Sequence, residues 1–234
     1  MPDTIALGQP TFGDEEVAAV AAVLESGWVA GQGPTAKRFE ERFAALCGTA
    51  HALAVNNCTA ALHLAYAGLG AGPGDEVIVA DYTFPATGHA VMYTGATPVF
   101  ADVRPDIWTI DPAAVEAAIT PRTVGIAAVD AFGQLADYDE LEGIAARHGL
   151  WLVEDAACSA GATYRGRPAG SFGNAACFSF HGRKGITAGE EHRLRLSHGS
   201  ANSLMSNHGD LSNYGDCWAA GRPPGAGRRG GTVG

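Results

Sequence analysis

Only two of the fifteen basic residues in this chain are lysines, Lys37 and Lys184, so any lysine chemistry has two candidates. Lys184 ends the run Phe178-Ser179-Phe180-His181-Gly182-Arg183-Lys184, among aromatic rings and next to another cation. Such surroundings favour the neutral, nucleophilic amine that imine formation with a carbonyl requires. Lys37 is followed by Glu40 and Glu41 in a helical stretch and reads as half of a solvated ion pair. Lys184 is therefore the reactive candidate.

Three further groups could work with it. In Glu154-Asp155-Ala156-Ala157 an acid is followed by small residues. Asp155 can sit buried against a cationic ligand, where it needs a partner, or it can cap a helix, and the residues leave both readings open. The segment Asn56-Asn57-Cys58-Thr59-Ala60-Ala61 leads into a helix. Its free amides and dipole make an anion site, with the Thr59 hydroxyl as an extra donor. Taken alone, an ordinary N-cap by Asn57 or Thr59 is the better explanation. Phe84, in Asp81-Tyr82-Thr83-Phe84-Pro85, could stack on a planar ligand, although a lone aromatic is more often core. No G-x-G-x-x-G or Walker lysine pattern is present, which disfavours a dinucleotide or nucleoside triphosphate site.

The elements that must position these residues alternate. Helical spacing runs over Asp14–Glu25, with Val17, Val20 and Leu24 on one stripe, and over Thr35–Leu46. Strands are predicted at His51–Val55, Glu76–Ala80, Thr97–Ala101, Val124–Val129, Leu150–Val153 and Ala176–Phe180. Helices are predicted at Thr59–Gly70, Pro85–Tyr93, Pro112–Ile119 and Asp137–His148. Short apolar strands alternating with helices indicate an α/β fold, a mostly parallel sheet with helices on both faces. Ligands of such sheets bind at the carboxyl ends of the strands, where all four groups lie. An anion cradle, a planar aromatic, a buried acid and a lysine together match the needs of pyridoxal 5'-phosphate: phosphate, ring face, pyridinium nitrogen and aldehyde.

Composition narrows the class. Apolar residues make up 47% and charged residues 17%, a globular balance. The net charge of −10, with no Lys/Arg cluster before residue 190, argues against nucleic acid as a partner. No apolar run is long enough for a membrane span, and the Met-Pro-Asp-Thr start lacks the order of a signal peptide, so a cytoplasmic protein is expected. The five cysteines, Cys47, Cys58, Cys158, Cys177 and Cys217, show no C-x-x-C spacing and read as reduced thiols with no metal site.

Four stretches are similar to a known family: ESGWVAGQGPTAKRFEERFA (25–44), AVNNCTAALHLAYAGLGAGPGDEVIVADYTFPAT (54–87), FGQLADYDEL (132–141) and VEDAACSAGATYRGRPAGSFGNAACFSFHGRKGITAGE (153–190). Through them the chain resembles the pyridoxal-phosphate-dependent sugar aminotransferases of the DegT/DnrJ/EryC1/StrS group, with the fold type I architecture. The resemblance implies that Lys184 links covalently to the cofactor and then moves a proton between cofactor and substrate carbons. It implies that Asp155 keeps the pyridine nitrogen protonated, that Thr59, Ala60 and Ser179 hold the phosphate, and that Phe84 stacks on the ring. Cys158 falls near the cofactor where many members have Gln or His. A dehydratase branch of the family carries histidine at the lysine position, so Lys184 favours transamination. The implied substrates are glutamate or glutamine and a nucleotide-linked keto-sugar, acted on by a homodimer.

After Gly189-Glu190 the resemblance breaks. Residues 1–189 read as an incomplete large domain, with the C-terminal small domain of the family missing. Residues 190–234 form a Gly/Arg/Pro-rich tail with nine glycines, five arginines and no isoleucine. That tail is expected to lack strands, to be poorly ordered and to derive from a shifted reading frame or a chimaeric end. Apolar surface on the large domain would then stand exposed. The competing reading is an inactive fragment that at most binds the cofactor or associates with a full-length paralogue.

Overall fold

The computed structural model describes residues 10–188 and the backbone of a strand at 192–196. Its frame is a seven-stranded sheet. The strands are β1 (His51–Val55), β2 (Glu76–Ala80), β3 (Thr97–Ala101), β4 (Thr123–Val129), β5 (Trp151–Asp155), β8 (Ala175–Ser179) and β9 (His192–Leu196). Their spatial order is β1-β9-β8-β5-β4-β2-β3. The five strands from β8 to β3 are mutually parallel, and β9 runs antiparallel to both β8 and β1. A two-residue hairpin, β6 (Thr163–Tyr164) and β7 (Arg167–Pro168), stands apart from the sheet.

Parallel strands need crossover connections, and the predicted helices supply them. The crossovers are α3 (Cys58–Gly68), α4 (Ala86–Tyr93), α5 (Pro112–Ala118) and α6 (Tyr138–His148), while α1 (Asp14–Glu25) and α2 (Pro34–Cys47) precede β1. All five residues of β2 and of β8 are buried, as strands covered on both faces must be. One face of the sheet packs Phe43, Tyr138, Leu141, Phe172 and Phe178 into a core. Within it Tyr138 stacks on Phe172 at 4.2 Å, and Phe43 meets Phe178 edge-on at 4.9 Å. The other face packs Leu62, Tyr66, Val77, Val91 and Val153. There Trp151 lies flat against the backbone of Gly125 on β4, where an added Cβ would fall 2.1 Å from its ring.

The expected α/β fold, with its mostly parallel sheet covered on both faces, is therefore present. Three local differences have physical causes. β5 extends two residues past Val153, because Glu154 and Asp155 continue the ladder with β4 and β8. The tail was expected to hold no strand, yet β9 fills the slot between β1 and β8. Both of those strands would otherwise leave a row of backbone donors and acceptors unpaired, and His-Arg-Leu-Arg-Leu supplies the ladder. The sheet thus runs past the boundary drawn at residue 189. Among the described residues Lys37 makes no ion pair with Glu40 or Glu41, and Glu40 instead accepts the Ala54 amide of β1 at 2.7 Å. The rest of the tail, including Cys217, lies outside the described residues.

Helix α1 buries none of its residues, and Val17, Val20 and Leu24 are each more than 60% exposed among the described residues. No helix among the described residues is long and apolar enough to cross a membrane.

Candidate active site

The carboxyl ends of β5 and β8 are neighbours, and each leads into a tight turn. After β8 the chain passes Phe180 and turns at His181, whose carbonyl accepts the Lys184 amide at 2.8 Å. The half-buried Lys184 then sends its Nζ to Sγ of Cys158, donating over 3.0 Å. Cys158 stands on the turn after β5, held by the Ser159 amide on the Ala156 carbonyl at 3.2 Å and the Ala162 amide on Ser159 at 2.9 Å.

Asp155, the last residue of β5, is 4% exposed. Its Oδ2 accepts the hydroxyl of Thr87 on α4 at 2.7 Å, and its Oδ1 accepts the Ala157 amide at 3.2 Å. It is thus a buried acid with a partner; the Ala157 bond closes a turn, and no helix follows β5 for Asp155 to cap. Burial pushes its pKa above the ordinary carboxylate range, against the opposing pull of Thr87, Ala157 and the charge of Lys184. Beneath it lies Cys58, whose thiol is pushed well up by burial first and then by the Asp155 charge. Lys184 and Cys158 also act on Cys58, so all four side chains share one electrostatic neighbourhood.

At the segment read as an anion cradle the structure shows an ordinary helix cap. Asn57 is the N-cap of α3, its Oδ1 accepting the Ala60 amide at 2.8 Å. One expected phosphate donor, the Ala60 N–H, is therefore already engaged. The amides of Cys58 and Thr59 at the first two helix positions have no intrahelical acceptor. Ser179, the last residue of β8, is buried, and its hydroxyl oxygen accepts the His181 amide at 3.4 Å. Phe84 is 78% exposed at the entry to α4, so its ring is no core aromatic and one face is open to a ligand. Among the described residues no group of His, Cys, Asp and Glu is placed to hold a metal.

Reasoning from the sequence missed the acids beneath this surface. Asp130, at the end of β4, accepts the Tyr138 hydroxyl at 2.8 Å, the Ser159 hydroxyl at 2.7 Å and the Ala136 amide at 3.3 Å. Glu154 on β5 accepts the Gly170 and Phe172 amides at 2.7 and 3.3 Å. Both are almost wholly buried. Burial foremost raises the Asp130 pKa to about 6 and pushes Glu154 well up, and the Asp130 charge raises Glu154 further. Burial and the Asp130 charge together favour the protonated form of Glu154. Nothing in the residue pattern marks either as buried. A cleft of about 840 Å³ between α2, β1 and α3 is lined by Trp28, Lys37, Glu40, Ala60 and His63, among others, but by neither Lys184 nor Asp155.

Residues 10–191 match the family model described as the DegT/DnrJ/EryC1/StrS aminotransferase family. The chain belongs to that family. Its members are pyridoxal-phosphate-dependent aminotransferases of fold type I. The chain is 48% identical over 181 residues to the spore coat polysaccharide biosynthesis protein SpsC of Bacillus subtilis, covering 77% of this chain and 46% of that one. It is 46% identical over 186 residues to the GDP-perosamine synthase of Caulobacter vibrioides, covering 80% of this chain and 50% of that one. Among solved structures it resembles DesV of S. venezuelae, solved in complex with a ketimine intermediate, at TM-score 0.79 and 45% identity over 86% of this chain and 55% of that one. The chain spans about half the length of the curated relatives it matches.

Proposed function

We propose that this chain is the cofactor-binding part of an aminotransferase that moves an amino group from glutamate or glutamine to a nucleotide-linked keto-sugar, with pyridoxal 5'-phosphate as cofactor. The observation that carries the reading is an amine and a buried acid at the same end of adjacent strands: Lys184 on the turn after β8, and Asp155 the last residue of β5, which feels the Lys184 charge. The acid fits a pyridinium nitrogen in particular. Its ionised form is penalised by burial and only partly relieved by Thr87 and Ala157, so a cationic N–H supplies what is lacking. GDP-perosamine synthase and SpsC support the nucleotide-sugar substrate and a role in polysaccharide biosynthesis.

Bound here, pyridoxal phosphate would supply the electron sink that stabilises a carbanion next to nitrogen. The chain's own residues do the rest. Lys184 would hold the cofactor through its aldehyde, and its amine would be the group that takes and returns a proton at the reacting carbon. Asp155 holds the proton on the ring nitrogen. Thr59 offers its hydroxyl and amide at the N-terminus of α3 to the phosphate, joined by Ser179 and by Ala60 if Asn57 yields its amide. Phe84 stacks on the open face of the ring, and Cys158 flanks it beside Lys184. We place the large domain in residues 1–189 together with β9, which completes its sheet, and assign the enzyme to the cytoplasm as a homodimer.

The test is whether the purified chain binds pyridoxal phosphate on Lys184, read by visible absorbance, borohydride trapping and peptide mass, with Lys184→Ala as control. An adduct at Lys184 that vanishes in the variant supports the reading, and transamination assays with glutamate and keto-sugar nucleotides follow. A folded chain with no adduct, or one at Lys37 only, overturns it. That second result would favour the inactive fragment, a reading for which the bare apolar stripe of α1 is the supporting observation.

A further inference from the structure

The proposed reaction uses the amine of Lys184 and gives no chemical task to the thiol that touches it. Cys158 is exposed and is in no disulfide, so small oxidants reach its sulfur. Lys184 Nζ donates to that sulfur over 3.0 Å. Both backbones beneath the contact are fixed. The Cys158 turn is tied down by the Ser159 hydroxyl on Asp130 at 2.7 Å. It is also backed by Gly133, φ +86°, where an added Cβ would fall 3.2 Å from the Cys158 carbonyl oxygen. The Lys184 turn is closed by its amide on His181 and by the Arg183 amide on His181 Nδ1 at 3.3 Å. A sulfur and an amine held together this way need little motion to bond.

We infer that Cys158 and Lys184 form a reversible covalent lock, a sulfenamide that closes when hydrogen peroxide reaches the chain with Lys184 free. In the first step the Cys158 sulfur attacks one peroxide oxygen and the O–O bond breaks. The products are a sulfenic acid and water, and sulfur has given two electrons to the peroxide. In the second step the neutral amine of Lys184 attacks that sulfur. An S–N bond forms, the S–O bond breaks, and the hydroxide leaves with a proton from nitrogen as a second water. A small-molecule thiol reverses the lock: it attacks the sulfur, the amine departs with a proton, and a second thiol clears the mixed disulfide. Cys58 is the competing acceptor, but it is buried and its thiol is kept protonated, a poor nucleophile. Lys184 is the group in contact.

The lock itself does not depend on the aminotransferase reading; its blockage by cofactor does. The experiment exposes the full-length chain to hydrogen peroxide, with and without prior pyridoxal phosphate, and maps the peptides by mass. The expected result is a peptide pair linked through Cys158 and Lys184, undone by dithiothreitol and absent in both Cys158→Ser and Cys158→Ala. Circular dichroism confirms that at least one variant is folded. In Lys184→Ala the Cys158 sulfenic acid is trapped by a dimedone probe instead. A Cys58–Cys158 disulfide, sulfinic acid at Cys158 with Lys184 unlinked, or no oxidation at Cys158 overturns the inference. A link that forms equally with saturating pyridoxal phosphate upholds the lock and overturns the cofactor role of Lys184. A chain that binds the cofactor on Lys184 yet never forms the link does the reverse.

Discussion

Thr87 and Asp155 are 68 positions apart in the chain, yet the threonine hydroxyl donates to the carboxylate over 2.7 Å in the buried interior. The bond joins α4 to the end of β5 and favours the ionised acid. Replacing Thr87 by valine keeps the shape and removes the donor, which costs about 1–3 kcal/mol at a buried, charged acceptor. The Asp155 pKa, already above its ordinary range, moves higher in the variant. A raised acid contributes stability at low pH that is lost as pH rises through its folded value. The deficit of Thr87→Val is therefore largest at alkaline pH and shrinks on acidification. Urea midpoints at pH 5 and pH 8 measure this, and an equal deficit at both would refute it.

The pair formed by Asp130 and Glu154 carries its own pH signature. The Asp130 pKa is raised to about 6, so its contribution to folding is complete below the ordinary aspartate value of about 3.9 and fades as pH rises through about 6. The chain should be more resistant to urea at pH 5 than at pH 7.5, by about 1–1.5 kcal/mol from Asp130, with Glu154 acting in the same direction. Asp130→Asn removes one of the two acids and should flatten that slope. A wild-type chain with no such slope would show that the acids are not coupled as described.

Gly125 has no room for a side chain. Its absent Cβ would fall 2.1 Å from the Trp151 ring, and that ring is itself stacked on Tyr66 at 5.7 Å. Gly125→Ala should destabilise by about 1–3 kcal/mol or more, the range for overpacked cores. Trimming Trp151 to leucine in the same chain should recover part of the loss, and a double-mutant cycle reads the coupling. Additive effects would count against the contact.

Asp155→Asn separates holding the cofactor from activating it. The lysine is untouched, so borohydride should still trap an adduct on Lys184. Without the carboxylate the ring nitrogen loses its proton at neutral pH, and turnover should fall by orders of magnitude. Unchanged turnover would remove Asp155 from its assigned role.

Much of this was legible from residue order, for reasons that can be named. β2, with Glu-Val-Ile-Val-Ala, and β1 and β3 have the predicted limits because short apolar runs bounded by turns leave little choice. The candidate site residues follow from the strand-end rule, which needs only approximate boundaries. What escaped depends on distant partners. No local pattern says that Thr87 reaches Asp155, or that Asp130 meets Tyr138 and Ser159, since those bonds exist only after the sheet is assembled. β9 escaped because its two arginines read as tail, and its place in the sheet is dictated by the open edges of β1 and β8 and not by its own apolarity. Ala60 was expected to offer its amide to a phosphate, and only the geometry shows that Asn57 Oδ1 already takes it.

The position of β9 also sets an order of events during synthesis. β1 reaches the sheet only through residues 192–196, with His51 opposite Leu196. A ribosome therefore releases β1 long before the strand that must hydrogen-bond to it exists. Through that interval β1 is held by side contacts such as Glu40 on Ala54, while β2 to β5 can already pair among themselves. Such non-local closure is slow and leaves an unpaired strand open to wrong partners. Expression temperature and chaperone supply should therefore govern the yield of soluble chain more than the stability of the finished sheet does.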